Sequence, residues 1–277
     1  MFTEPFMQRA LLAALFLGPL CAFLGVFVTA RRMAFFSDTI SHAALAGVAI
    51  GFWFGLVDPT VPMVVVSMLV AGGIMWLKEN TDLFTDTIMA LLLSCSVAVG
   101  VIILSLLKEY RGELHSFLFG EILAIGPQEV VLAAALFAVV GVGLFWKLSP
   151  LTLVTAHEDV AHVCGVPVRR LNYLFVLVLT FAVTLSIRLL GIILVTALIV
   201  IPPAAARNVS RNLRQQIVFS VIFGLVGSVG GTLLSYQFDV PCGPMIVLTC
   251  AVLFILSLLF ARRGTKTRPE ANQPVPP

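Results

Sequence analysis

A chain of 277 residues that is 60% hydrophobic and only 11% charged, with a mean hydropathy of +1.07, is excluded from the soluble globular class. Soluble domains carry about a quarter charged residues, so most of this surface must be solvated by lipid. The net charge of +3 decides little by its size, and its placement along the chain decides much more.

The apolar residues fall in runs of about 17 to 25, the length that crosses a hydrocarbon core as a helix. The alternating ten-residue segments of a membrane barrel are not seen. Nine spans are expected, near 7–29, 36–56, 60–77, 86–107, 128–147, 171–187, 190–206, 216–236 and 244–261, the sixth and seventh parted by a tight turn near Arg188. The fold class is therefore all-α, a polytopic transmembrane helical bundle of about eight or nine spans. One domain covers 1–261, with a cytoplasmic loop at about 148–170, and the Pro-rich tail 262–277 reads as disordered. Segment 113–126 is too short and polar to span and suits a re-entrant or interfacial helix. The first apolar run lacks a small-residue cleavage site and reads as a retained helix.

Basic residues orient the spans. With the N-terminus outside, the cytoplasmic side receives Arg31, Arg32, Lys78, Lys147, Arg169, Arg170, Arg207, Arg211, Arg214, Arg262, Arg263, Lys266 and Arg268, which is thirteen of the seventeen. Arg9, Lys108, Arg111 and Arg188 remain outside. The five cysteines (Cys21, Cys95, Cys164, Cys242 and Cys250) show no pairing or CxxC spacing and read as small core hydrophobes.

Several chemistries are missing. All four lysines follow Leu77, Leu107, Trp146 or Thr265, so no Walker A Gly-Lys exists to cradle a nucleotide phosphate. There is no HExxH helix and no GxSxG elbow. Neither an ATPase site nor another enzyme site is expected, nor a nucleic-acid partner.

In chain order, the first informative stretch is RRMAFFSDTISHAALAGVAIG from Arg31 to Gly51. Asp38 and His42 stand four apart, on one helix face. A carboxylate and an imidazole at this spacing can ligate one divalent cation such as zinc, manganese or ferrous iron. The competing reading is that Ser37 and Asp38 cap the second helix at the membrane surface. The small residues Ser41, Ala44, Gly47 and Gly51 favour packing inside a bundle. The second stretch, AHEDVAHVCGVPVRR, carries His157, Glu158, Asp159 and His162. Val160, Val163 and Val166 recur at helical spacing, and Gly165 with Pro167 would end a short helix. Such a helix, exposed in the largest cytoplasmic loop, offers a partner protein a grip. The third stretch is LIVIPPAAARNVSRNLR, where Pro202-Pro203 bends the seventh span as a hinge or ends it before a basic turn. Asp239, Glu121 and His115 lie on the outer side, either lining a mouth or as ordinary turn residues.

These pieces, in this order, resemble the permease family of ABC-type zinc, manganese and iron importers. RRMAFFSDTISHAALAGVAIG is similar to that family's early signature, and EDVAHVCGVPVRRLNYLF to its coupling segment. GIILVTALIVIPPAAARNVS is similar to its late signature, though Pro202-Pro203 doubles what is often one proline, and FDVPCGPMIVL to the segment before the last helix. The likeness runs from about residue 9 to 260. It implies an inner-membrane permease working as a dimer, either two copies or a copy and a paralogue, surrounded by membrane lipid. It further implies a separate ATP-binding subunit docked on the segment around Glu158, Asp159, Gly165, Val166 and Pro167, and an extracytoplasmic metal-binding protein. Asp38 and His42 would contact the transported metal, with no cofactor permanently bound. A secondary metal carrier driven by an ion gradient is the rival reading. It requires internal repeats and buried charges on several spans.

Overall fold

The computed structural model describes residues 5–106, 120, 125–156 and 158–260. Every regular element among them is a helix: α1 (Pro5–Ala30), α2 (Phe36–Trp53), α3 (Thr60–Asn80), α4 (Thr85–Leu106), α5 (Pro127–Trp146), α6 (Leu148–Ala156), α7 (Glu158–Val163), α8 (Val168–Leu190), α9 (Ile192–Val209), α10 (Leu213–Phe238) and α11 (Cys242–Leu259). Eight are long and apolar enough to cross a membrane; the exceptions are α2, α6 and α7. The chain is a multi-pass helical membrane protein. The segment 113–126, apart from Gly120 and 125–126, lies outside the described residues, as does the tail.

The second expected span, α2, is not among those eight, and its polar residues set it apart. Its first two turns carry Ser37, Asp38, Thr39, Ser41 and His42, too polar a set for a lipid-facing helix. It packs instead against α3, α4, α8 and α9, and nearly all of it is buried in protein. The Thr39 hydroxyl donates to Phe35 O at 2.9 Å and lies 3.3 Å from Met89 O of α4, while Ser41 donates to Ser37 O at 2.7 Å. Polar groups at membrane depth are tolerated where protein supplies their partners. Gly47 lets α3 approach, since a Cβ there would stand 2.7 Å from the Met63 Cα.

Around α1 a second cluster forms from α9, α10 and α11. Gly18 and Gly224 bring α1 and α10 together, and serines bond across the seam. Ser220 donates to Ala22 O at 2.8 Å and Ser228 to Ala14 O at 3.0 Å. Small residues with interhelical hydrogen bonds are how membrane helices associate without a hydrophobic drive between them.

The turn between the sixth and seventh spans is made by Gly191 at φ +83°, with Arg188 inside the last turn of α8. The left-handed backbone explains why glycine, and not arginine, marks the corner. Helix α9 continues through Pro202 and Pro203 to Val209, with both prolines buried. A proline at 203 leaves the Ile199 carbonyl without its helical donor. That carbonyl points at Gly25 of α1, where a Cβ would lie only 1.9 Å away.

The loop expected at 148–170 contains two helices. Leu151 and Val154 of α6 are buried against the bundle, so this part is docked rather than free. Tertiary bonds also sort the two ends of the bundle. At the basic end, Arg31 Nε donates to Thr155 Oγ1 at 3.0 Å and its NH1 to Asn172 Oδ1 at 2.9 Å. Its guanidinium sits 4.5 Å from the Phe175 ring centre. Arg169 makes a two-pronged bond to Glu79 at 3.0 and 2.7 Å, and the Tyr173 hydroxyl donates to the same carboxylate at 3.0 Å. At the opposite end Arg188 meets Asp58 at 3.3 Å and Thr60.

Candidate functional site

The end of α1 sets where the Asp38–His42 face begins. Arg32 stands at φ +56°, and the backbone bonds Arg32 N→Thr29 O (3.2 Å) and Met33 N→Val28 O (2.9 Å) close a Schellman-type cap. Met33 folds into the core at 4% exposure, and the chain turns straight into α2.

Phe35 occupies the N-cap position of α2, and no side chain caps that end. The Ser37 hydroxyl is buried without a hydrogen-bond partner. Capping therefore does not account for the Ser37-Asp38 pair here. Asp38 sits in the first turn, where the helix dipole favours a carboxylate. His42 Nε2 lies 3.8 Å from Asp38 Oδ1, and His42 Nδ1 is buried with no hydrogen-bond partner. The side chains remain 44% and 26% exposed for Asp38 and His42. From Phe36 to Ala49 these are the only residues of α2 that the chain leaves uncovered. No third His, Cys, Asp or Glu joins them among the described residues. One chain thus presents two ligand-type groups, a carboxylate and an imidazole, on an open face.

The segment after α6 is built around a glycine. Helix α7 spans Glu158–Val163. Gly165 N bonds to His162 O at 3.1 Å and Val166 N to Ala161 O at 3.0 Å, with Gly165 at φ +74°. This is the two-bond Schellman geometry, and the left-handed residue in it is nearly always glycine. Val166 turns back onto the core while Pro167 takes the N-cap position of α8. Asp159 is exposed, and so are Val160 at 47% and Val163 at 89%. Two bare valines on a six-residue helix at the basic end form an apolar contact surface.

Of the outer-side candidates, Glu121 and His115 lie outside the described residues. Asp239 is exposed at the C-cap of α10, in left-handed backbone at φ +53°, and its N–H bonds to Ser235 O. Aspartate tolerates that conformation better than most residues. Sequence reasoning missed Asp58. The Thr60 hydroxyl, followed by the Thr60 amide and Arg188, holds the Asp58 carboxyl below the usual aspartate range. A lowered folded value means this tie contributes above the unfolded aspartate value, about 3.9. Its contribution is lost as pH falls through the lower folded value. Asp58→Asn is expected to lower thermal stability at pH 7 by no more than about 1 kcal/mol, because the pair is exposed. The difference from the parent chain should begin to shrink as pH falls below about 4 and close only below the lowered folded value, and melting curves across pH check this.

Comparison with known proteins places the chain. It is 32% identical over 254 residues to the high-affinity zinc uptake system membrane protein ZnuB of Haemophilus influenzae, covering 92% of this chain and 97% of that one. It is 30% identical over 266 residues to the manganese transport system membrane protein MntC of Halalkalibacterium halodurans, covering 95% and 90%. It is 32% identical over 262 residues to the chelated iron transport system membrane protein YfeD of Yersinia pestis, covering 94% and 86%. Among solved structures, PsaBC from Streptococcus pneumoniae in complex with Fab matches with a TM-score of 0.82 at 31% identity, over 93% of this chain and 92% of that one. Residues 3–261 match the ABC 3 transport family, and the chain belongs to that family.

Proposed function

We propose that this chain is the membrane-spanning permease subunit of an ABC-type importer that moves a divalent metal ion, zinc, manganese or iron, across the inner membrane. The observation that carries the reading is the Asp38–His42 face, open on an otherwise buried transmembrane helix. A transported ion needs a site that is real but leaky, since a closed tetrahedral cage would hold zinc. Two groups from one chain make an incomplete site. Two permease chains facing each other across α2 would together offer two carboxylates and two imidazoles. That count supports a dimeric path, with either a second copy or a paralogue.

The chain is a transport subunit without nucleotide chemistry of its own. Energy then comes from a separate ATP-binding subunit, docked on the exposed valines of α7 at the basic, cytoplasmic end. An extracytoplasmic metal-binding protein would deliver the ion at the end carrying Asp58, Arg188 and Asp239. Pro202 and Pro203 would give α9 a compliant point, because neither supplies the backbone donor that stiffens a helix. The three transport relatives divide among zinc, manganese and chelated iron, and a carboxylate–imidazole pair does not choose among these metals.

Uptake of radioactive zinc, manganese and iron by cells expressing this chain together with an ATP-binding subunit and an extracytoplasmic metal-binding protein tests the proposal. ATP-dependent uptake that requires all three supports it, and uptake by the isolated chain in liposomes under an ion gradient refutes it. Gly165→Asp in the same system is expected to cut ATPase co-purification and metal-stimulated ATP hydrolysis. A non-glycine residue in left-handed backbone costs about 1–2 kcal/mol and shifts the α7 surface. Unchanged co-purification would remove the coupling role from this segment.

A further inference from the structure

Helix α5 is flanked on both faces by apolar grooves. The first, of about 520 Å³, opens between α3, α5, α6 and α8 and is lined by Met68, Val140, Gly143, Leu151, Leu174 and Phe181 among others. The second, of about 430 Å³, lies between α1, α5 and α10, against Phe23, Phe137, Gly141 and Val221. The two meet at Trp146, which lines both and is 81% exposed. Lys147 follows it at the basic end of the first groove and is the one charged residue in that lining. No carboxylate among the described residues pairs with Lys147.

We infer that the first groove is a binding site for one anionic phospholipid of the basic-side leaflet, its acyl chain along α5 and its phosphate at Lys147. An apolar trough on a membrane protein is filled by hydrocarbon, and each buried methylene favours it. Bulk lipid would fill a smooth helix surface equally well, so selectivity must come from the head. An unpaired lysine where the apolar lining stops, beside an interfacial tryptophan, supplies both the charge and the depth marker. Basic pockets between transmembrane helices on this side select anionic headgroups for the same electrostatic reason. A second copy of the chain fits this groove less well. The open Asp38–His42 face belongs to α2, and no residue of α2 lines the groove. A bound lipid would also brace α6, whose Leu151 forms part of the lining and whose end leads into α7. The inference does not depend on which solute is carried.

Native mass spectrometry of the complex extracted in mild detergent, with phosphatidylglycerol or phosphatidylcholine added, tests it. The parent protein is expected to retain one phosphatidylglycerol per permease chain in preference to phosphatidylcholine. Lys147→Gln should weaken phosphatidylglycerol retention about fivefold, the loss of one lysine near an anionic head, and leave phosphatidylcholine unchanged. Gly143→Leu should lose both lipids, because a Cβ there meets nothing within 4 Å and the new side chain fills the trough without disturbing the helix. Gly73→Leu, equally unobstructed but outside the groove, should retain both. Equal retention of the two lipids by the parent, or phosphatidylglycerol retention untouched by Lys147→Gln or Gly143→Leu, overturns the site. So does an absence of retained lipid together with crosslinking of Gly143→Cys between two copies, which would show that a second chain covers it.

Discussion

Metal uptake is expected to fall at least about 100-fold in Asp38→Asn and in His42→Ala, while the protein still folds and joins its partners. Outer-shell partners of metal ligands already cost about 10–100-fold when removed, and a ligand itself should cost no less. The fold should survive because neither side chain supports it. Asp38 makes no capping bond, and the first-turn charge it places on the helix dipole is worth about 0.3–1 kcal/mol. Asparagine keeps its shape. His42 leaves one buried nitrogen unsatisfied, and alanine removes that nitrogen with the ring. Size-exclusion profiles and ATP-subunit co-purification should match those of the parent chain. Normal uptake by either variant would strip the pair of its role, and loss of assembly would recast it as structural. If the path is shared between two copies, one mutant copy paired with one intact copy should retain partial activity.

Gly25→Val is expected to prevent stable packing of α1 on α9. The Cβ would stand 1.9 Å from the Ile199 carbonyl oxygen and 2.7 Å from a Pro203 ring carbon. Neither a backbone carbonyl nor a proline ring can rotate aside, so the two helices must separate. Overpacking costs about 1–3 kcal/mol where side chains can yield, and here the cost lies at or above that range. The expected result is little monodisperse protein after extraction and a clear fall in Tm for whatever remains. Gly72→Val is the matched control, because its Cβ meets nothing within 4 Å. Equal behaviour of the two variants would show that α1 and α9 do not cross at Gly25. The close approach has a covalent origin: Pro203 frees the Ile199 carbonyl, and the bare Cα of Gly25 faces it, the geometry of a weak Cα–H···O contact.

The spans were readable because a helix crossing lipid has to be long and apolar, and length needs no knowledge of neighbours. The corner between the sixth and seventh spans is legible to within a few residues of Arg188, and Gly191 as its pivot is not, because a single left-handed residue leaves no hydropathy signal. The Asp38–His42 face was legible as spacing. Its openness was not, since coverage depends on α3, α4, α8 and α9 arriving around α2. The Gly165-Val166-Pro167 cap could be seen because its chemistry is local. The ties that hold the basic end together could not. Arg31 reaches Asn172 across 141 residues, and Tyr173 reaches Glu79 across 94. A lone arginine after a helix and a glutamate beside Lys78 look like ordinary surface charge until the fold assembles them. Within 148–170, the apolar Leu148, Leu151 and Val154 did carry helical spacing, the signal by which α6 could have been found.

The polarity of α2 also bears on how the chain enters the membrane. A segment opening with Ser37, Asp38, Thr39, Ser41 and His42 gains less by partitioning alone than an apolar helix does, since polar and charged side chains oppose insertion. Its neighbours on both sides, α1 and α3, are strongly apolar. Integration of α2 is then expected to be cooperative, with α2 entering beside an apolar neighbour as a helical hairpin. Arg31 and Arg32 at the preceding turn would hold that hairpin's base on the side of synthesis. Asp38, His42 and the hydroxyl residues beside them thus make α2 depend on its neighbours for its place in the bundle.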